Sequence, residues 1–265
     1  MRVVTWNIRK ANPNIEVWNI LSKYNPDIML LQEVTDIPSY IKQSCKYEFR
    51  KAINKKGNLQ KFGTAVLAKS ENISTIKLIS EFDWVDKELQ FFEGNLVACT
   101  VIVTNEEPLN VIFVYSPAWP ISKERLINID VSTVKLQLNK ELWCTEILWS
   151  ALKNKSSINN YNWLIGGDFN SSETFDYLWP GGPRGNKEII ERMNSLDLTE
   201  CLRGFQQKLT PTFKNSRGDK VIHQIDHLYA SNNLYKTLSS CITGNAKDIF
   251  ENRLSDHLPI IADFE

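Results

Sequence analysis

Apolar runs that stop at a short polar cluster constrain this chain more than any other feature. Residues 2–6 run into Thr5-Trp6-Asn7, residues 27–31 into Leu31-Gln32-Glu33, and a later run into Gly166-Gly167-Asp168-Phe169-Asn170. Leu254-Ser255-Asp256-His257-Leu258-Pro259 reads as a fourth cluster of the same kind, ending its own apolar run. A strand fixes the direction of its last side chain. Loops on one rim of a sheet can therefore gather Asn7, Glu33, Asp168, Asn170, Asp256 and His257 from far apart in the sequence. Carboxylates, amides and an imidazole gathered in this way suit work on one metal and one phosphate.

Short β-rich runs recur along the whole chain, at residues 2–6, 27–32, 63–69, 95–103, 110–115, 161–165, 224–230 and 260–264. Between the first two, Val17, Ile20, Leu21 and Tyr24 keep the i, i+3, i+4, i+7 spacing of one helix face, and Pro26 ends that helix. A long helix is expected from about residue 122 to residue 153. Leu138, Leu142, Thr145, Trp149 and Leu152 share one face of it, and Ser122 is its N-cap. A further helix is expected over residues 187–196. Strands interspersed with helices give an α/β or α+β fold.

The 265 residues show no linker, repeat or low-complexity stretch, so a single domain over residues 1–265 is expected. The N-terminus opens straight into a strand and lacks the pattern of a signal peptide, and no apolar run is long enough for a membrane helix. Five scattered cysteines without CxxC spacing read as buried free thiols of a cytoplasmic protein. Net charge is zero, but its distribution is uneven. Between residues 42 and 61, seven basic residues face one acid, and between residues 203 and 220, five face one. These two stretches are expected to be basic loops that contact a phosphate backbone through Lys51, Lys55 and Lys56. Trp179 and Arg184, in a Pro- and Gly-rich segment, and Phe213, in Thr210-Pro211-Thr212-Phe213, are candidate substrate contacts that would stack a base or wedge a duplex open.

Thr5-Trp6-Asn7-Ile8, Leu31-Gln32-Glu33-Val34, Gly167-Asp168-Phe169-Asn170, Ile225-Asp226-His227 and Ser255-Asp256-His257-Leu258-Pro259, in this order, resemble the motifs of the endonuclease/exonuclease/phosphatase superfamily. The resemblance extends from Thr5 to Pro259. It implies an α+β fold, a four-layer α/β/β/α sandwich of two packed mixed sheets flanked by helices, with the active site at one edge. It implies a phosphodiesterase dependent on Mg²⁺ or Mn²⁺. Glu33 would be the principal metal ligand, and Asp256 would lie at or next to the metal. Asp168 would deprotonate or orient the attacking water or hold a second metal, and Asn170 would hydrogen-bond the phosphate. Asn7 would sit beside that aspartate, and Tyr115 would donate to the phosphate or leaving oxygen. Asp226 would pair with His257 and raise its pKa, so that the imidazolium binds a nonbridging oxygen. His223 and His227 are expected to take no part in catalysis.

The sequence departs from the family in one place that bears on substrate. Some of its repair nucleases carry a metal-binding Asp two positions beyond the first Asn, and here that position is Arg9. Nucleic acid, DNA before RNA, is the expected substrate, with no membrane and no obligatory protein partner. A small nucleotide, an inositol phosphate, a phospholipid or the poly(A) tail of a deadenylase substrate are the alternatives that keep the chemistry. An inactive nucleic-acid-binding module is the alternative that does not.

Overall fold

The computed structural model describes residues 1–10, 15–103, 107–154, 162–178, 184–215 and 220–265. Trp179, Tyr161 at the start of one expected strand, and Arg217 of the second basic stretch lie outside these residues. The strands in chain order are β1 (Arg2–Asn7), β2 (Ile28–Val34), β3 (Lys46–Ile53), β4 (Leu59–Ala68), β5 (Ser70–Ile76), β6 (Leu96–Val103), β7 (Leu109–Tyr115), β8 (Asn162–Asp168), β9 (Leu198–Glu200), β10 (Phe213–Lys214), β11 (Val221–His223), β12 (Asp226–Ser231), β13 (Leu238–Thr243) and β14 (Ile260–Phe264). The helices are α1 (Ile15–Tyr24), α2 (Ser39–Ser44), α3 (Asp83–Phe91), α4 (Cys144–Lys153), α5 (Thr174–Leu178), α6 (Asn186–Asn194), α7 (Cys201–Gln206) and α8 (Asn232–Tyr235).

Two six-stranded mixed sheets result, ordered β13-β14-β1-β2-β4-β3 and β5-β6-β7-β8-β12-β9, while β10 and β11 pair separately. Alternation along each strand then sorts the apolar residues into three layers. Val3, Ile28, Leu30, Val66 and Ala262 of the first sheet pack with Cys99, Val111, Phe113, Leu164 and Leu228 of the second, which fills the space between them. Their neighbours Val4, Trp6, Met29, Leu31 and Leu67 point the other way, onto Val17, Trp18, Leu21 and Ile41 of α1 and α2. Ala98, Ile112, Val114, Trp163 and Ile165 do the same for the second sheet, against Val85 and Leu89 of α3, Ile147 and Ala151 of α4, and Met193 of α6. The layers are therefore α/β/β/α, as the resemblance implies.

The expected long helix over residues 122–153 is corrected. Ser122 caps only a 3₁₀ turn, Lys123–Leu126, through the Glu124 N–H at 3.3 Å, and the next helix is α4. Side chains between them bind their own backbone. Asp130 accepts from the Ser132 N–H at 2.9 Å and Asn139 from the Glu141 N–H at 3.1 Å, contacts that compete with a helix. Leu138, placed on the buried face of that helix, is 61% exposed. Buried Glu146 pins the segment instead, accepting from the Leu136 N–H at 2.6 Å and the Trp143 N–H at 2.8 Å.

Among the described residues, the two basic stretches are loops only in part. Residues 42–61 end α2 and then form the β3–β4 hairpin, with Lys51 on β3 and Lys55 and Lys56 exposed in its turn. Arg203 lies on α7, ion-paired with Glu173 at 2.6 Å, and Lys214 lies on β10. All five cysteines are buried and free.

Candidate active site

The inward-facing rows that fill the space between the sheets end in polar residues at one rim. On β1 the row Val3, Thr5 continues to Asn7; on β7, Val111 and Phe113 continue to Tyr115. On β8, Leu164 and Gly166 continue to Asp168, and on β12 the row Ala230, Leu228 leads back to Asp226. Register brings these ends level. Tyr115 pairs with Asp168 across parallel β7 and β8, and Asp168 with Asp226 across antiparallel β8 and β12. The two glycines before Asp168 serve this approach. A Cβ on Gly166 would come within 2.9 Å of Leu30 of the other sheet, and one on Gly167, whose φ is +145°, within 1.9 Å of the Val114 carbonyl oxygen.

The fourth cluster differs from the expectation in direction. Asp256 and His257 precede β14 instead of ending a strand. Because β14 runs antiparallel to β1, its entry lies on the rim where β1 exits, and the residues still arrive at the same place. Two contacts fix them: the Trp6 Nε1–H donates to the His257 carbonyl at 2.8 Å, and Ser255 Oγ donates to the Asn7 carbonyl at 2.6 Å.

Around this rim a cavity of about 250 Å³ is lined by Asn7, Arg9, Lys10, Glu33, Tyr115, Ala118, Asp168, Asn170, Phe213, Ile225, Asp256 and His257. Four of these, Arg9, Lys10, Glu33 and Asn170, hold positive φ of 48–55° without being glycine. Backbone strain of this kind gathers where surrounding structure enforces a functional geometry. At Glu33 it coincides with a break in the β2–β4 register between Leu31 and Val34, which turns the carboxylate toward the cavity.

Hydrogen bonds orient the floor. Asn7 Nδ2 donates to Asp168 Oδ2 at 3.1 Å, and the Asn170 N–H donates to Asp168 Oδ1 at 2.9 Å. Asn170 Nδ2 donates to the Ser116 carbonyl at 2.7 Å. His257 Nδ1 lies 2.9 Å and 3.0 Å from the two Asp226 oxygens, and Thr212 Oγ1 donates to Asp226 Oδ2 at 2.7 Å. Burial alone would lower the pKa of the His257 imidazole, but the Asp226 carboxylate carries it up to about 10. Its Nε2 then presents a proton 4.0 Å from Asp168 Oδ2. Burial pushes the Asp168 carboxyl up to about 7, against the pull of that imidazolium. The Tyr115 hydroxyl, its pKa raised by burial and by Glu33, donates to Glu33 Oε1 at 3.0 Å.

Ligand-type atoms of Asp168, Asp226 and His257 lie within 4.8 Å of one another. Within this trio His257 and Asp226 hydrogen-bond each other, Thr212 donates to Asp226, and Asp168 stands 4.0 Å from the imidazole. The donor set that suits a hard divalent cation is Glu33 and Asp256, both partly accessible in the cavity, with Asp168 beside them. One or two carboxylates plus water suffice for Mg²⁺, so these residues fit the ion.

Phe213 joins the cavity, its ring 4.9 Å from that of His257. Arg184 lies in a neighbouring cavity of about 190 Å³ that shares Ala118 and Asn170 with the first. Lys51, Lys55 and Lys56 are not among the residues lining either. His223 and His227 face elsewhere, toward Thr174 Oγ1 at 2.7 Å and the Ser171 carbonyl at 2.9 Å. Sequence reasoning passed over Thr212, Ser255 and Lys10. The first two stood inside quoted motifs, and their hydroxyls were the available signal.

Residues 4–257 match the profile of the Endonuclease/Exonuclease/phosphatase family. No curated protein matches by sequence. Among solved structures, a 3′ phosphatase, NExo, from Neisseria bound to a product DNA hairpin is similar at 19% identity and a TM-score of 0.69, covering 100% of this chain and 99% of its own. The 3′-5′ exonuclease NExo from Neisseria meningitidis gives 19%, 0.69, and full coverage of both chains. An AP endonuclease from Archaeoglobus fulgidus gives 18%, 0.68, and coverage of 100% and 99%. At these identities the likeness is one of fold. The profile match spans nearly the whole chain, and the chain belongs to the endonuclease/exonuclease/phosphatase family of hydrolases acting on phosphoric esters.

Proposed function

We propose that the protein is a divalent-metal-dependent phosphodiesterase of nucleic acid, acting on DNA before RNA, with both sheets forming one domain. The observation that carries this reading is the pairing of Asp168 with His257 across the cavity floor. A carboxylate oxygen and a proton-bearing Nε2 stand 4.0 Å apart, each held from behind by its own hydrogen bonds. A phosphoryl group entering there meets a base on one side and a donor on the other. Asp168 takes the proton of the attacking water, oriented by Asn7. His257, kept protonated by Asp226, binds a nonbridging oxygen as charge builds on it. Asn170 borders the same space with a second Nδ2 proton to offer the phosphate, and Tyr115 can donate to it once its hydroxyl leaves Glu33. Bound at Glu33 and Asp256, Mg²⁺ or Mn²⁺ would supply charge neutralisation for the phosphate and the leaving oxygen.

The DNA preference is supported by the similar structures, one of which was solved with a DNA hairpin product and another of which is an AP endonuclease. The exposed lysines of the β3–β4 turn and the aromatic ring of Phe213 at the cavity suit a polyanion with bases. No helix among the described residues is long and apolar enough to cross a membrane. Five buried free thiols suit a reducing compartment such as the cytoplasm.

The test is cleavage of supercoiled plasmid, end-labelled single- and double-stranded DNA, an abasic duplex, RNA and bis-p-nitrophenyl phosphate, with Mg²⁺, Mn²⁺ or EDTA. EDTA-sensitive cutting of DNA that falls by about a thousandfold or more in Asp168→Ala is expected. Full activity in that variant would remove the assignment.

A further inference from the structure

Two cations stand in the cavity among the carboxylates. Arg9 and Lys10 are consecutive residues in the left-handed region, at φ 49° and 55°. The Arg9 N–H is held by Asn7 Oδ1 at 3.0 Å and the Lys10 N–H by the Glu33 carbonyl at 3.0 Å, so the turn is tied to the site's own residues. Such a conformation costs on the order of 1 kcal/mol or more per non-glycine residue and persists only where its surroundings impose it. The Lys10 ammonium lies 4.6 Å from the centre of the Phe62 ring, which meets the Tyr115 ring edge-on at 5.9 Å. Both side chains thus border the cavity, with part of each open to solvent.

Their partners are loose. Arg9 lies 3.6 Å from Asp256 and Lys10 3.7 Å from Glu33, beyond hydrogen-bond length, with both cations about half exposed. These two carboxylates are the ones that suit a divalent ion. When they neutralise an ion they release the pull on both side chains, which are then left beside His257 with no fixed anion of their own. Arg9, Lys10, His257 and a divalent ion would then stand against Glu33, Asp168, Asp226 and Asp256, a surplus of about one positive charge. A phosphate monoester, with a charge of about −1.5 to −2 at neutral pH, answers it. An internal diester also meets that surplus in charge, but it presents two free oxygens to Arg9, Lys10 and His257, where a terminal phosphate presents three.

We propose that Arg9 and Lys10 form a clamp for a terminal phosphate, selecting a phosphomonoester end of the nucleic acid over an internal diester. The clamp rests on the phosphoesterase reading of the site and narrows its substrate.

The experiment compares wild type, Arg9→Ala/Lys10→Ala and the charge-keeping Arg9→Lys/Lys10→Arg on p-nitrophenyl phosphate and its bis ester, and on DNA ending in a 3′- or 5′-phosphate against hydroxyl-ended DNA. Inorganic phosphate is titrated into each protein by calorimetry with Mg²⁺ present. In the alanine pair the monoester-to-diester ratio of kcat/KM should fall about tenfold and phosphate should bind about tenfold more weakly, the scale of a partly screened charge pair. The charge-keeping pair should restore both. Equal loss on monoester and diester, or an unchanged ratio, overturns the clamp and leaves the phosphoesterase intact. Silence on every ester removes the phosphoesterase reading instead. The titration still decides the clamp in that case, because phosphate binding that is absent, or equal in wild type and the alanine pair, overturns it.

Discussion

At the scale of the residue, the site depends on charge held in place by neighbours. His257 owes its protonation to Asp226, so Asp226→Asn should let the imidazole pKa fall from about 10 toward its ordinary 6.5. The alkaline limb of the activity profile should then move to lower pH, which a pH–rate series on bis-p-nitrophenyl phosphate would read. Stability follows the same sign. A histidine raised in the folded state contributes stability that is full below pH 6.5 and is lost as pH rises through about 10, and that slope should flatten in the variant. Glu33→Ala should raise the Mg²⁺ concentration for half-maximal activity by about tenfold or more, with partial recovery at high Mg²⁺; an unchanged requirement would move the ion elsewhere. The polar clusters of the sequence named most residues that the structure gathers around the cavity, because strand ends deliver side chains in a direction that the alternation already sets. The Arg9–Lys10 turn was not legible, since nothing in two adjacent basic residues signals a left-handed backbone tied to Asn7 and Glu33. Thr212 escaped for a related reason: its role is a contact with Asp226, across a turn that no periodicity encodes.

At the scale of the element, legibility follows position in the sheet. The eight runs read from sequence correspond to β1, β2, β4, β6, β7, β8, β12 and β14, all interior strands of the two sheets. The four strands of these sheets that were missed, β3, β5, β9 and β13, are the four sheet edges. Interior strands here are flanked by strands on both sides and read as apolar runs such as Val97-Ala98-Cys99 or Ile112-Phe113-Val114. Edge strands keep one side open and are blunted with polar and charged residues, as Lys46 to Lys51 and Ser70 to Thr75 show, so their signal is lost. Residues 122–143 failed in the opposite sense. An apolar spacing suggested a helix where local side-chain bonds and the Glu146 carboxylate had already claimed the backbone. Glu146→Ala should therefore unpin two N–H groups at once and lower stability by about 2–4 kcal/mol, measured by urea unfolding. A loss under 1 kcal/mol would mean that the segment between β7 and α4 is held by its apolar contacts alone.

At the scale of the molecule, the polarity of the strands decides what surrounds the site. β1 and β2 run parallel and exit at the active rim, so antiparallel β4 enters there and β3 leaves there. The turn of the β3–β4 hairpin, carrying Lys55 and Lys56, therefore projects from the same rim as Asp168 and His257. Phe62 of β4 touches Tyr115, and Lys51 is registered with the next residue, Gly63. At about 3.3 Å per residue the turn stands on the order of 15 Å beyond that contact, a few nucleotides along a bound strand. These lysines lie outside the catalytic cavity, so they can act on affinity without touching chemistry. Reversing Lys51, Lys55 and Lys56 to Glu should weaken binding of DNA in Ca²⁺ and reduce the slope of log affinity against log salt by about 2 to 3, since each phosphate neutralised contributes about 0.9. Turnover of bis-p-nitrophenyl phosphate, too small to reach the hairpin, should stay at the wild-type rate. A slope that does not change would place the nucleic acid off this hairpin, whereas loss of small-diester turnover would mean that the hairpin supports the site through Phe62 and not the substrate through its lysines.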